Sequence, residues 1–151
     1  MQRNILKALM TTLGAATLSI VCATNAIALE GFDPTKGVGL PATDLIFENI
    51  NPAVKMAAAY GNRNVGAHGS FGQFPANFIT PLHTHTGAYH GVVIKGQMTN
   101  PFEGAQNPPA LGPGSYWFVP AGMEHATACI SDTPCEFYFY ADGAFDFIPA
   151  E

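Results

Sequence analysis

From about residue 70 onwards, short apolar runs alternate with clusters of Gly, Pro, Asn and Asp, and no stretch sustains the three-to-four-residue apolar spacing of an amphipathic helix. The pattern predicts an all-β domain with strands over 74–80, 82–86, 89–95, 116–119, 126–130 and 136–140. The segment 101–114, dense in Pro, Gly and Asn, is expected as a surface loop. Residues 51–60, with Val54, Met56 and Ala57-Ala58-Ala59, read as a short helix or an irregular lead into the barrel, and 31–41 as a Gly-interrupted lead-in.

The N-terminus follows a different pattern. Arg3 and Lys7 precede an uncharged, mainly apolar run over 8–23 that ends near Ala26-Ile27-Ala28, the layout of a secretory leader cleaved after Ala28. Thr11, Thr12, Gly14, Thr17 and Ser19 interrupt the run, and it is short for a membrane span of about 20 apolar residues. Lipidation at Cys22 fits less well, because Val21 stands where a small residue is expected. The expected organisation is a leader over 1–28, a lead-in over 29–60 packing on the barrel, and a β-barrel domain over 61–151. A periplasmic or secreted product follows, with no membrane attachment once the leader is removed. Its length suits one compact domain.

Removing the leader leaves Lys36, Lys55, Arg63 and Lys95 against 11 acidic residues, so a nucleic-acid partner is not expected. It also leaves Cys129 and Cys135 in an oxidising compartment. They flank the turn-forming Ser131-Asp132-Thr133-Pro134 and can bridge across a hairpin, or remain as two buried thiols.

Candidate chemistry lies in two stretches. His83 and His85, two apart on a predicted strand, point to one face and can share a metal ion if a third ligand arrives from elsewhere. The aromatic strand 116–119 turns sharply at Pro120-Ala121-Gly122, which aims His125. His68 lacks motif spacing and reads as a surface or hydrogen-bonded residue, while Tyr89 and Glu124 are expected to face away from the site. Alternation from His90 makes Val92 and Ile94 candidate pocket walls, with Phe78, Phe118, Phe137 and Phe139 from other strands, although most of these aromatics are expected to fill the core of a small barrel.

Both stretches together resemble the paired motifs of the cupins: His83-Thr84-His85 followed by a fourth ligand and Gly96, then Gly114, five residues, and Pro120-Ala121-Gly122-Met123-Glu124-His125. The resemblance implies a double-stranded β-helix, a jelly-roll-type small barrel, with a metal ion in one mouth. The fourth cupin ligand is usually glutamate; five residues after His85 this chain has His90, which implies an all-histidine set of His83, His85, His90 and His125. His90 could instead orient a metal-bound water. Nitrogen ligands suit a divalent transition metal, iron or zinc first and then copper, nickel, cobalt or manganese. The run His83 to Gly96 and Pro113-Gly114-Ser115-Tyr116-Trp117 is further similar to a bacterial cupin-like family of unknown function, and the likeness continues through Cys135-Glu136-Phe137 and 142–147.

Two functional classes follow. One is a metal-dependent enzyme of oxygenase or lyase type acting on a small oxygenated or anionic molecule, with all-histidine dioxygenases as the nearest analogy in ligand set. The other is a metal-dependent binding or sensing module without turnover. Cupins often pair as homodimers, so a homodimer is a further expectation.

Overall fold

The computed structural model describes residues 35–102 and 104–150; the leader expected over 1–28 lies outside the described residues. After a 3-10 turn at Ala42–Asp44, eleven strands follow: β1 (Glu48–Asn49), β2 (Lys55–Gly61), β3 (His68–Phe74), β4 (Phe78–Ile79), β5 (His83–Thr84), β6 (Tyr89–Lys95), β7 (Met98–Thr99), β8 (Tyr116–Val119), β9 (Ala128–Cys129), β10 (Cys135–Ala141) and β11 (Ile148–Pro149). One layer is a six-stranded sheet in the order β1-β2-β3-β10-β6-β8. The second consists of the pair β11-β5 and the triplet β4-β9-β7. Antiparallel bridges His83↔His125 and Phe102↔His125 knit these two small sheets together, so His125 sits at their junction. The result is an antiparallel β-sandwich of jelly-roll type.

The large sheet has one buried face. On β10, Cys135, Phe137, Phe139 and Ala141 are buried while Glu136, Tyr138 and Tyr140 are partly exposed. This period-two pattern packs the strand's apolar side chains against the second layer. Phe74 meets both Phe78 (ring centroids 5.0 Å) and Phe137 (5.1 Å), joining the layers at the core. Gly91 lies directly under the Trp117 indole: a Cβ there would come within 2.1 Å of the ring, so glycine is required for the two strands to sit flat against each other.

Three expectations change. The segment 51–60 is neither helix nor irregular over its second half: β2 pairs with β3 from Lys55↔Gln73 to Gly61↔His68. Asn51 starts it, its side-chain oxygen accepting from the N–H groups of Ala53 (2.9 Å) and Val54 (2.8 Å), and Val54 anchors it in the core. Turn chemistry and burial thus override the helix propensity of the alanines. The sheet accordingly includes strands from the expected lead-in over 29–60. The predicted strand 74–80 is broken at Pro75-Ala76-Asn77, where Asn77 takes φ 55°, and the break carries the chain from β3 in one layer to β4 in the other.

Candidate metal centre

His83 lies on β5, His85 follows it, and His125 follows the turn after β8. Gly122 adopts φ 71°, Met123 N–H bonds Pro120 O (3.3 Å), and Gly122 N–H bonds His85 O (2.9 Å). Reciprocal bonds between His83 and His125, at 2.9 and 3.0 Å, then fix the backbones of two site residues side by side. The three rings are buried, and a ring nitrogen from each lies within 4.8 Å of the other two.

Which nitrogen points inward follows from the outer contacts. His83 Nδ1 meets Pro81 O (2.8 Å), His125 Nδ1 meets Met123 O (3.0 Å), and His85 Nδ1 makes a short contact with Asp146 O. A carbonyl oxygen only accepts, so each Nδ1 carries the proton and each Nε2 presents a lone pair. Backbone contacts of this kind set tautomer and ring direction in metal-ligating histidines. Burial holds the His83 and His85 pKa values down at about 4 and lowers that of His125, so all three rings are neutral at pH 7. The donor set therefore fits a divalent transition ion: three neutral imidazoles, oriented and buried.

The C-terminal segment completes the site. Phe145 stacks on His85 (4.2 Å, 26°) and Phe147 on His83 (4.2 Å, 20°). Asp146 is held between them by Thr86, whose N–H and Oγ1 donate to its carboxylate at 2.8 and 2.5 Å. β11 pairs with β5 directly, Ile148 opposite Thr84 and Pro149 opposite His83.

The fourth ligand expected from the motif is not in this cluster. β6 turns Tyr89 inward, 3 % exposed, and His90 outward, where its Nδ1 bonds Tyr116 Oη (2.6 Å) and its ring neighbours Phe118 (4.8 Å). Val92, Ile94 and Phe118 share that outer face and are exposed, so they are not pocket walls either. Alternation within β6 puts Tyr89 and His90 on opposite faces, and the turn at 86–88 decides which of them faces inward. Tyr89 is four places after His85, while His90 is five. Tyr89 is the site residue missed in the sequence; counting by twos from His85 would have pointed to it, although the turn at 86–88 leaves that count unsecured.

Tyr89 Oη stands 3.2 Å from His125 Nε2 and, since that nitrogen is unprotonated, donates to it. Burial raises its pKa, against a smaller opposing effect of the neighbouring Thr127, Trp117 and Asn100, so it stays protonated. Asn100, turned so that its oxygen accepts from Trp117 Nε1 (2.7 Å) and its nitrogen donates to Ala126 O (2.9 Å), ties this polar cluster together.

His83, His85 and Tyr89 form part of the wall of a cavity of about 370 Å³, with His125 wholly buried behind them. Its other walls are mainly apolar, including Val54, Phe74, Phe78, Phe137 and Phe139; Phe78, Phe137 and Phe139 line it and also pack in the core, so both readings of these rings apply. Arg63, Asn64 and Asp146 also contribute. The volume falls in the range of small-molecule sites. His68 lies outside this wall: it is fully buried, bonded through Nδ1 to Ser70 Oγ (3.0 Å) and packed edge-on against Phe139 and Phe145. Cys129 and Cys135 form a disulfide with a Cα separation of 5.7 Å.

The sandwich has the cupin fold, and solved structures of that fold agree. The polyketide cyclase RemF from Streptomyces resistomycificus superimposes with a TM-score of 0.65 at 17 % identity, over 77 % of this chain and 87 % of that one. An RmlC-like cupin from Shewanella frigidimarina gives 0.60 at 17 % identity, over 72 % and 93 %. A predicted oxalate decarboxylase from Thermotoga maritima gives 0.58 at 18 % identity, over 70 % and 99 %. No curated protein matches the chain. Residues 46–151 match the model described as domain of unknown function DUF4437, and the chain belongs to that family.

Proposed function

We propose that this chain is an exported, metal-dependent cupin enzyme that binds one divalent transition ion through His83, His85 and His125 and acts on a small oxygenated or anionic molecule in the adjoining cavity. The observation that carries the reading is the tautomer lock: three backbone carbonyls hold three Nδ1 protons outward, so three lone pairs face one point beside a cavity. Three protein ligands are characteristic of catalytic sites, which keep positions open for water or substrate, whereas structural sites are closed by a fourth. A bound ion would supply Lewis acidity to a coordinated oxygen and, if it is iron, a site for dioxygen. Tyr89 is the protic group at this point, a buried phenol whose present acceptor, His125 Nε2, is the lone pair an ion would claim. With an ion in place, the Tyr89 hydroxyl would lose that acceptor and would stand beside the site as a protonated, buried donor. Export is supported by the leader pattern over 1–28 and by the Cys129–Cys135 disulfide, which suits an oxidising compartment.

Cobalt(II) substitution tests the open positions. The visible spectrum of the cobalt-loaded protein is expected to change on addition of azide or acetate, as small anions enter the coordination sphere. A spectrum indifferent to both would assign the ion to a closed site and favour the binding or sensing module over an enzyme.

A further inference from the structure

Opposite in charge to its own protein, Arg63 is the one cation in the cavity wall among the described residues. It sits partly buried in the connection between β2 and β3. That connection is closed by Asn62, whose carbonyl accepts from Val65 N–H and Gly66 N–H, both at 3.1 Å. Arg63 O in turn accepts from Phe145 N–H (2.7 Å), and Phe145 is the ring stacked on His85. The backbone that carries the guanidinium is thus pinned to the segment that covers the histidine cluster. No carboxylate among the described residues forms an ion pair with Arg63. The carboxylate in the same wall, Asp146, is engaged by Thr86. A partly buried arginine in the wall of a largely apolar cavity, with no carboxylate partner among the described residues, can offer its guanidinium fork to a planar anion.

We propose that Arg63 is the anion anchor of this cavity and that the molecule bound there is a small carboxylate with an apolar body, its charged end on Arg63 and its body along Phe74, Phe137 and Phe139. This rests on the reading of the cavity as a small-molecule site and adds a polar contact separate from the histidine cluster. A ligand so held is selected for negative charge at one end and apolar surface along its body.

The test compares 3-phenylpropionate with 3-phenylpropanamide, which share shape and differ in charge. Binding is read from the fluorescence of Trp117, the chain's one tryptophan and part of the cavity wall, in zinc-loaded and in EDTA-treated protein. The acid is expected to bind about tenfold or more tighter than the amide, with or without zinc; Arg63→Gln should equalise the two, and Arg63→Lys should keep part of the preference. Equal binding of acid and amide, binding of neither, a preference that survives Arg63→Gln, or one that disappears with zinc would each overturn the assignment. Failure of the metal reading shows itself separately, as no zinc uptake, and leaves an Arg63-dependent preference standing.

Discussion

His83, His85 and His125 are ordinary imidazoles made into a donor set by what their outer nitrogens touch. Two of the three carbonyl partners are local, Pro81 for His83 and Met123 for His125, each two residues away; the third, Asp146, comes from 61 positions downstream. The local pair follows from turn geometry near each histidine, so it was implicit in the two motifs. The third could not be read from the sequence, because nothing there places residue 146 over residue 85. The inward Tyr89 and outward His90 mark the same boundary: alternation within β6 is legible, and the face on which it starts depends on the turn before it. His90→Ala is therefore expected to change ion content little, which metal analysis of the variant would check.

His68 gives a second prediction at this scale. Burial, with a contribution from the Arg63 charge, lowers its pKa from 6.5 to about 4. Between those values the unfolded chain binds more protons than the folded one, so stability is fully present above about pH 6.5 and falls as pH drops towards about 4. Urea titrations of metal-free protein across this range should show that loss, and His68→Phe should show a shallower pH slope. An unchanged slope would mean that His68 titrates alike in both states.

At the scale of elements, β10 alternates buried and partly exposed positions from Cys135 to Ala141, and its middle, 136–140, was legible as a strand. β2 was not, since its alanines favour helix and it becomes a strand through pairing with β3. Strand pairing is a long-range contact, and a local pattern carries little information about it. The disulfide closes the turn between β9 and β10, a sequence separation of 6. For so short a loop the chain-entropy contribution is about 2 kcal/mol, so the Cys129→Ala, Cys135→Ala double variant should lose roughly that much in denaturant titrations. The segment from Phe145 to β11 has a different part: it covers His83 and His85 with two aromatic rings and supplies the His85 carbonyl contact. Phe147→Ala should weaken ion binding by about tenfold or more through looser ring orientation, measurable by competition with a chelating dye.

The described residues form a two-layer sandwich in which His125 occupies the seam of the second layer, bridged on one side to His83 and on the other to Phe102. The all-β class and the pairing of the two motifs were legible because both rest on spacing within short segments. The covering segment, the tyrosine and Arg63 were not, because the closed sandwich brings them in from separate strands and turns.

The proposed centre holds one ion on three histidines without His90, and elemental analysis puts that to the test. Protein purified from its exporting host without added metal should carry about one transition-metal ion per chain, retained in His90→Ala and lost in the His83→Ala, His125→Ala double variant. Ion content lost in His90→Ala, or no ion in the wild-type protein and no uptake when zinc and iron(II) are supplied, would contradict it.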